Sequence, residues 1–336
     1  MSNDKVSTQD TMRERADESR LKLWLLVGAN RLLVTAVLAA TFFVLFMLGG
    51  VFDPPLTNLL QRRGVIESMF SSMISALITG VTLVVTISQL IVSQENGPLG
   101  EQRTRMSETM DYRDYIKEIV GKPAPADPST FLREIVGATQ TRAEDVRERI
   151  KSTENEDLEQ EVDELVDSII GNSETVQEKL DGATFGTFDV VYASMDYNYA
   201  WKIFQIERIE DEYEDVLEDE HRDAFDELRT SLVMFGPARE HIKTLYFQWE
   251  LIDLSRLILY AAIPALLVSG MMLTFVDILT IGGTTLGAEN LLWVVAIAYT
   301  FTLIPFLMLT AYVLRIATVA KRTLAIGALI LRDSQR

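Results

Sequence analysis

Residues 71–94, SSMISALITGVTLVVTISQLIVSQ, are apolar enough for a helix that crosses lipid, yet hydroxyls and an amide recur along them with a fixed beat. Extended by one turn at its start, the series is Ser68, Ser72, Ser75, Thr79, Thr82, Thr86, Gln89 and Ser93, in alternating steps of four and three. A mean step of about 3.5 residues keeps all eight on one face of an α-helix, with Val81, Val84, Val85, Ile87, Leu90 and Ile91 off it. At about 1.5 Å per residue the seam is about 38 Å long, the full thickness of a bilayer.

Two readings fit such a seam. Small hydroxylated residues let helix backbones approach closely and form interhelical hydrogen bonds of about 0.6 kcal/mol each, and their hydroxyls can bond back to a carbonyl one turn earlier. Alternatively, about five copies set this helix around an axis and the hydroxyls line a water-filled path, with Gln89 and Gln94 at its cytoplasmic end able to coordinate or filter ions.

Outward from the seam, the apolar residues gather in four blocks, 32–52, 69–92, 257–281 and 291–314, none with a Lys or Arg and with Asp277 as the one acid. Each is long enough to cross about 30 Å of hydrocarbon. The expectation is an all-α integral membrane protein of four transmembrane helices in two hairpins, with a helical cytoplasmic domain. The first block lies too deep and is too long for a cleaved leader. Cations flank it on the N-terminal side (Arg13, Arg15, Arg20, Lys22, Arg31) and follow the last block (Arg315, Lys321, Arg322, Arg332, Arg336). By the positive-inside rule both termini are cytoplasmic, with Arg62 and Arg63 outvoted on the outer side; the expected location is the cell inner membrane. The divisions are 1–22, a mobile N-terminus; 23–94, the first hairpin; 95–253, the cytoplasmic domain; 254–315, the second hairpin; and 316–336, a C-terminal tail.

Residues 101–250 hold 37 Asp and Glu against 17 Lys and Arg. That excess repels phosphates, so nucleic acid is not an expected partner. It fits a cation-attracting vestibule or a salt-rich, halophile-like cytoplasm in which acidic surfaces keep proteins apart; its even spread favours the second. Within this segment, helices are expected from Thr130 after the breaker KPAPADPS (122–129), over LEQEVDELVDSIIG to about Gly171, and over Phe188–Asp211 with Tyr192, Tyr199, Trp201 and Phe204 as core. A last helix from near Glu220 is expected to run straight into the third span, kinked at Gly236 and Pro237. Pro264 and Pro305 are hinge candidates in the second hairpin, and Pro54 and Pro55 end the first span.

Chemistry is scarce. The chain has no cysteine and only two histidines, His221 and His241, which read as solvated side chains without metal-ligand spacing. The run EDEYEDVLEDEHRD (210–223) lacks the central glycine of a calcium loop and reads as a solvated acidic turn. No cofactor, no metal and no enzymatic activity are expected.

Ser72-Met73-Ile74, Gly80, Thr86, Ser88, Ser93-Gln94 and Gly97-Pro98 together resemble a stretch of the domain-of-unknown-function 2254 group of prokaryotic membrane proteins, whose Ser-Met-Ile helix leaves through a similar Ser-Gln and Gly-Pro exit. The resemblance covers about 30 residues, implies a second helix of like design, and brings no chemistry with it; the second hairpin at the far C-terminus departs from that layout. Two hairpins bracketing a cytoplasmic helical domain are also similar in layout to the pentameric bestrophin anion channels, without their neck or calcium-clasp sequences. The expected function is passive permeation of inorganic ions or small solutes through a homo-oligomeric pore lined by the second helix in the lipid bilayer. The alternative is a non-conducting scaffold or sensor whose cytoplasmic helices bind a partner protein.

Overall fold

Apolar blocks with helical spacing and few breakers leave the backbone little choice but helix, and about 86% of the described residues are helical. The computed structural model describes residues 20–52, 63–95, 97–184, 188–276 and 281–323. The expectations for the N-terminal 1–19, Pro54, Pro55, Arg62, Asp277 and residues 324–336 fall outside these, as do the side chains of Arg63, Gln94 and Arg322.

In chain order the helices are α1 (Arg31–Phe52), α2 (Arg63–Glu95), α3 (Leu99–Val120), α4 (Pro128–Ile150), α5 (Glu156–Leu180), α6 (Phe188–Met195), α7 (Tyr199–Glu212), α8 (Asp219–Phe275) and α9 (Asn290–Arg322). A short turn, Arg20–Leu23, leads into a π-helical turn, Trp24–Gly28, ahead of α1. Four helices, α1, α2, α8 and α9, are long and apolar enough to cross a membrane. The chain divides into two compact units: one of residues 97–247 with 20–23 and 319–323, the other of Trp24–Asn96 and Gln248–Thr318. α8 supplies residues to both.

The second unit is a four-helix bundle packed in layers. Met47, Ile66, Phe70, Met272, Leu292 and Val295 form one cluster, Met73, Leu77 and Ala265 another, and Val84, Leu254, Ile258 and Tyr312 a third. Gly80 lets α2 approach α9, because a Cβ there would sit 3.2 Å from the Phe306 ring. Between α8 and α9, Thr284–Thr285 pairs antiparallel with Ala288–Glu289. The tip residues Leu286 and Gly287 have φ of 53° and 80°, the positive values that a two-residue hairpin turn demands. Trp293 Nε1 donates to the Thr285 carbonyl at 3.0 Å and fixes the hairpin to α9.

In the first unit, α4 and α5 pack along their length on Leu132, Ile135, Val136, Val146, Val162 and Ile169. α4 begins at Pro128, two residues before the expected Thr130. Asp127 is the cap, accepting from the Thr130 N–H at 2.8 Å, and proline at the first helical position costs no hydrogen bond. α5 does not end at Gly171 but runs to Leu180, because Asn172, Ser173, Val176 and Leu180 continue its buried face. The helix expected over Phe188–Asp211 is two helices broken at 196–198. Asn172 on α5 satisfies the break: its Nδ2 donates to the Asp196 carbonyl at 2.8 Å, and its Oδ1 accepts from the Asn198 N–H at 3.2 Å and from Lys202 Nζ at 2.9 Å. Asp196 in turn accepts from Lys179 Nζ at 2.6 Å, and Lys202, with no exposed surface, lies over the Tyr197 ring.

α8 runs without interruption through Gly236, Pro237 and Pro264, and Pro305 lies inside α9. A break at Gly236 is unnecessary, because its bare Cα is what lets Tyr199 pack there; a Cβ would meet the Tyr199 hydroxyl at 3.2 Å. His221 is not solvated: it is 4% exposed, at the start of α8. The Glu218 N–H donates to its Nδ1 at 3.1 Å, in the manner of a capping box, so the proton belongs on Nε2, 3.4 Å from Ser152 Oγ. His241 is exposed. The 210–223 run is the end of α7 and the start of α8 with a turn over 213–218 between them, pinned in place. Arg222 Nε donates to the Leu217 carbonyl at 3.3 Å, and Glu210 accepts from Arg229 at 2.8 Å.

Candidate functional site

α2 carries two stripes of side chains with the same spacing and opposite fates. Ile66, Phe70, Met73, Leu77, Val84 and Ile91 are buried. Ser68, Ser72, Ser75, Thr79, Thr82, Thr86, Gln89 and Ser93 are all exposed. At about 3.6 residues per turn the two stripes lie on opposite sides of the helix. Apolar packing fixes the helix rotation, since turning α2 by half a turn would expose Phe70 and Leu77 and bury eight polar groups. Ile78 and Leu83 flank the polar stripe, one on each side, and both are more than half exposed.

Five hydroxyls on the exposed stripe are satisfied by their own helix. Thr79, Thr82 and Thr86 each donate to the carbonyl four residues earlier at 2.9 Å, Ser75 does so at 3.3 Å, and Ser93 donates to the Leu90 carbonyl at 2.8 Å. Each such hydroxyl keeps lone pairs for an outside donor, water or another helix. Ser88 differs. It lies off the stripe and donates to Ser255 Oγ of α8 at 2.6 Å, a cross-helix bond inside the second unit. Next to it, Gln89 and Ser93 border an open groove with Val85, Val92 and Leu259. Pro264 and Pro305, placed inside α8 and α9, are not on the stripe, and Gly236 and Pro237 belong to the first unit.

Two residues matter to the bundle in a way the sequence did not announce. Arg31 and Arg315, read above as orienting charges, are 3% and 7% exposed. The Arg31 guanidinium donates to the carbonyls of Leu25 (3.2 Å), Leu26 (3.3 Å), Ala29 (2.5 Å) and Ala311 (3.3 Å). Arg315 donates to the Ala29 carbonyl at 2.5 Å and pairs with Glu250 at 3.3 Å. Together they tie the π-helical turn to α9 and α8, and they satisfy carbonyls that a π turn leaves open. Cations before a first span and after a last one signal topology; only the packing shows that these two are structural.

Among the described residues no group of three or more His, Asp or Glu is placed to hold a metal ion. The family of unknown function DUF7972 matches residues 1–336. The chain belongs to that family. The resemblance of the second helix to the domain-of-unknown-function 2254 group is thereby corrected: the match across the whole chain is to DUF7972, and a short low-complexity run of Ser, Thr and Gly recurs wherever membrane helices need small polar residues. No curated protein and no solved structure matches the chain.

Proposed function

We propose that this DUF7972 protein is a channel-like membrane protein in which α2 helices of several copies line a passive path for inorganic ions or small solutes. The observation that carries the reading is the exposure of all eight stripe residues in the single chain, on the side of α2 opposite its packing face. A seam that served only to pack the four helices of one chain would be buried within the bundle. Exposed along about 38 Å, it needs water, lipid or another copy, and a ring of copies around an axis supplies both water inside and Ile78 and Leu83 for the flanks. An uncharged, hydroxylated lining suits permeation without tight binding. Four apolar helices support membrane insertion as two hairpins, with both chain ends and residues 97–247 in the cytoplasm and the inner membrane as the compartment.

The second reading is the non-conducting scaffold or sensor, and the self-satisfied hydroxyls favour it: with their bonds made to their own helix, they tolerate a dry interface between copies. Flux separates the two. Purified protein in vesicles loaded with a potassium-sensitive dye is expected to pass ions, and Thr79→Phe and Thr82→Phe on the stripe to block them. Vesicles that stay tight under ion and voltage gradients would favour the scaffold.

A further inference from the structure

The first unit contains a cavity of 540 Å³, open on one side, between α3, the 121–127 connection, the start of α4 and residues 237–245 of α8. We infer that this cavity is the docking site for an apolar segment of the same chain: residues 324–331, LAIGALIL, which follow α9 and lie outside the described residues. The inference does not rest on the permeation reading.

The walls call for an uncharged, apolar occupant. Pro125, Pro128, Phe131, Pro237, Ile242 and Leu245 line the cavity, and proline has no N–H to offer. Two polar groups of the wall are committed to the fold. The Arg113 guanidinium donates to the Pro125 carbonyl at 3.0 Å and to the Ala124 carbonyl, which pins the 121–127 connection against α3. Tyr112 donates its hydroxyl to the Met234 carbonyl on α8, and its ring packs on Phe131 with centroids 6.2 Å apart. These bonds fix the walls around a volume within the range of about 300–1,000 Å³ that encloses a small organic body, the bulk of a few aliphatic side chains. Water against such walls makes few hydrogen bonds and is displaced with gain.

The chain supplies a segment of that character. Of its two terminal stretches outside the described residues, 1–19 is polar and charged, whereas 324–331 is seven aliphatic residues and one glycine without a charge. The run follows Lys321 and Arg322 and is less than half of the roughly 20 residues that a membrane crossing takes. Its aliphatic side chains gain from any apolar surface that covers them.

Position and reach both fit. α8 and α9 run antiparallel: Leu254 and Ile258 cluster with Leu309 and Tyr312, and Glu250 pairs with Arg315 at 3.3 Å. Eight residues on from Arg315 is Thr323, just past the end of α9; eight residues back from Glu250 is Ile242, which lines the cavity. The two steps are equal, about 12 Å along each helix, and both residues belong to the first unit. The chain therefore leaves α9 level with the cavity. To enter, it has to pass around no more than half of a helix about 10 Å across, a path of roughly 16 Å, which five extended residues cover at about 3.3 Å each. Residues 324–328 make that passage and deliver Leu329, Ile330 and Leu331 to the apolar walls. Arg332 then meets Glu108 at the rim.

The test is disulfide trapping in the full chain in lipid nanodiscs, on a background without cysteine. Leu331→Cys is paired with Ala126→Cys and, separately, with Thr109→Cys, two exposed positions that line the cavity. The reference pair is Leu331→Cys with Glu174→Cys, exposed on α5 and away from the cavity. Under mild oxidation both lining pairs are expected to form a disulfide within one chain at least about tenfold faster than the reference pair, because docking raises the local concentration of one thiol at the other. Adding Leu329→Ser and Ile330→Ser removes two aliphatic side chains and is expected to slow the reaction about tenfold or more. Circular dichroism of each variant guards against misfolding, and mixing two tagged populations that carry one cysteine each reads any bond between copies. Reaction no faster than the reference overturns the inference and leaves the segment to the lipid surface. A rate unchanged by the two serines overturns it as well, and so does a disulfide formed mainly between copies, which would give the cavity to the tail of a second chain. No flux enters the reading, so the cavity and the α2 stripe stand or fall separately.

Discussion

The Asn172–Asp196–Lys202 cluster and the α2 stripe are both polar and both close to helix, yet they stand in opposite relations to the fold. In the cluster Asn172, Asp196 and Lys202 are buried and their partners are distant in sequence: Asn172 reaches Asp196, Asn198 and Lys202, and Asp196 reaches the part-exposed Lys179. On the stripe every group is exposed, and the hydroxyl bonds that are made go to the same helix one turn back. A buried charge network with remote partners specifies structure, because removing one member strands the others. A row of locally satisfied, exposed hydroxyls contributes almost nothing to the fold of one chain, and that is the condition under which residues are free to serve something outside it.

The largest expected effect follows from breaking the cluster. Asp196→Ala removes the buried carboxylate that accepts from Lys179, and should destabilise the first unit by about 3 kcal/mol, read by denaturant unfolding followed through tryptophan fluorescence. Arg31→Gln, in the other unit, leaves carbonyls of the π turn without a donor and should cost about 2–3 kcal/mol, seen as a lowered Tm in detergent. A loss as small as that of a surface substitution in either variant would mean that distant polar partners do not hold these helices.

Glu210 sharpens the comparison through pH. Burial raises its carboxyl pKa above the ordinary glutamate value, and this outweighs the lowering by Arg229. A raised value in the folded state means that the folded chain holds the proton more tightly than the unfolded chain. The contribution is therefore full below the ordinary glutamate range and lost as pH rises through the folded value. The stability of the wild type relative to Glu210→Gln should be greatest near about pH 4 and fall by about pH 7, by less than about 1 kcal/mol for a partly exposed pair. Denaturant midpoints at the two pH values check the sign. The smallest effect belongs to the stripe: Thr79→Val with Thr82→Val should change stability by no more than about 0.5 kcal/mol. A larger loss would mean that the stripe is part of the fold after all.

What was legible in the sequence is what is local. The 3.5-residue beat of Ser68 to Ser93 and the four apolar blocks depend only on spacing and composition; the helices α1, α2 and α9 cover their blocks, and α8 covers the third as far as Phe275. The break at Asp196 was not legible, because it is made by Asn172, 24 residues away. Nor was the continuation past Gly171, where buried side chains outweigh a glycine's weak helix preference. Arg31 and Arg315 have the same letters whether they mark a membrane surface or cap a π turn; their partners are up to 286 residues distant. Of the candidate site, the face was readable and its exposure was not, since exposure depends on which side of α2 the rest of the bundle takes.

The most direct measurement of the central claim is cysteine accessibility along α2, for which a chain without cysteine is a clean background. Single replacements of Ser75, Thr79, Thr82 and Thr86 are compared in native membranes with Ile78 and Leu83, which are equally exposed but flank the stripe, using a small charged thiol reagent. The account predicts labelling at the four stripe positions and none at the two flanks, the signature of water on one face of the helix and lipid or protein on its neighbours. Protection of all six, persisting across ionic and voltage conditions, would contradict it and leave the stripe as a dry contact.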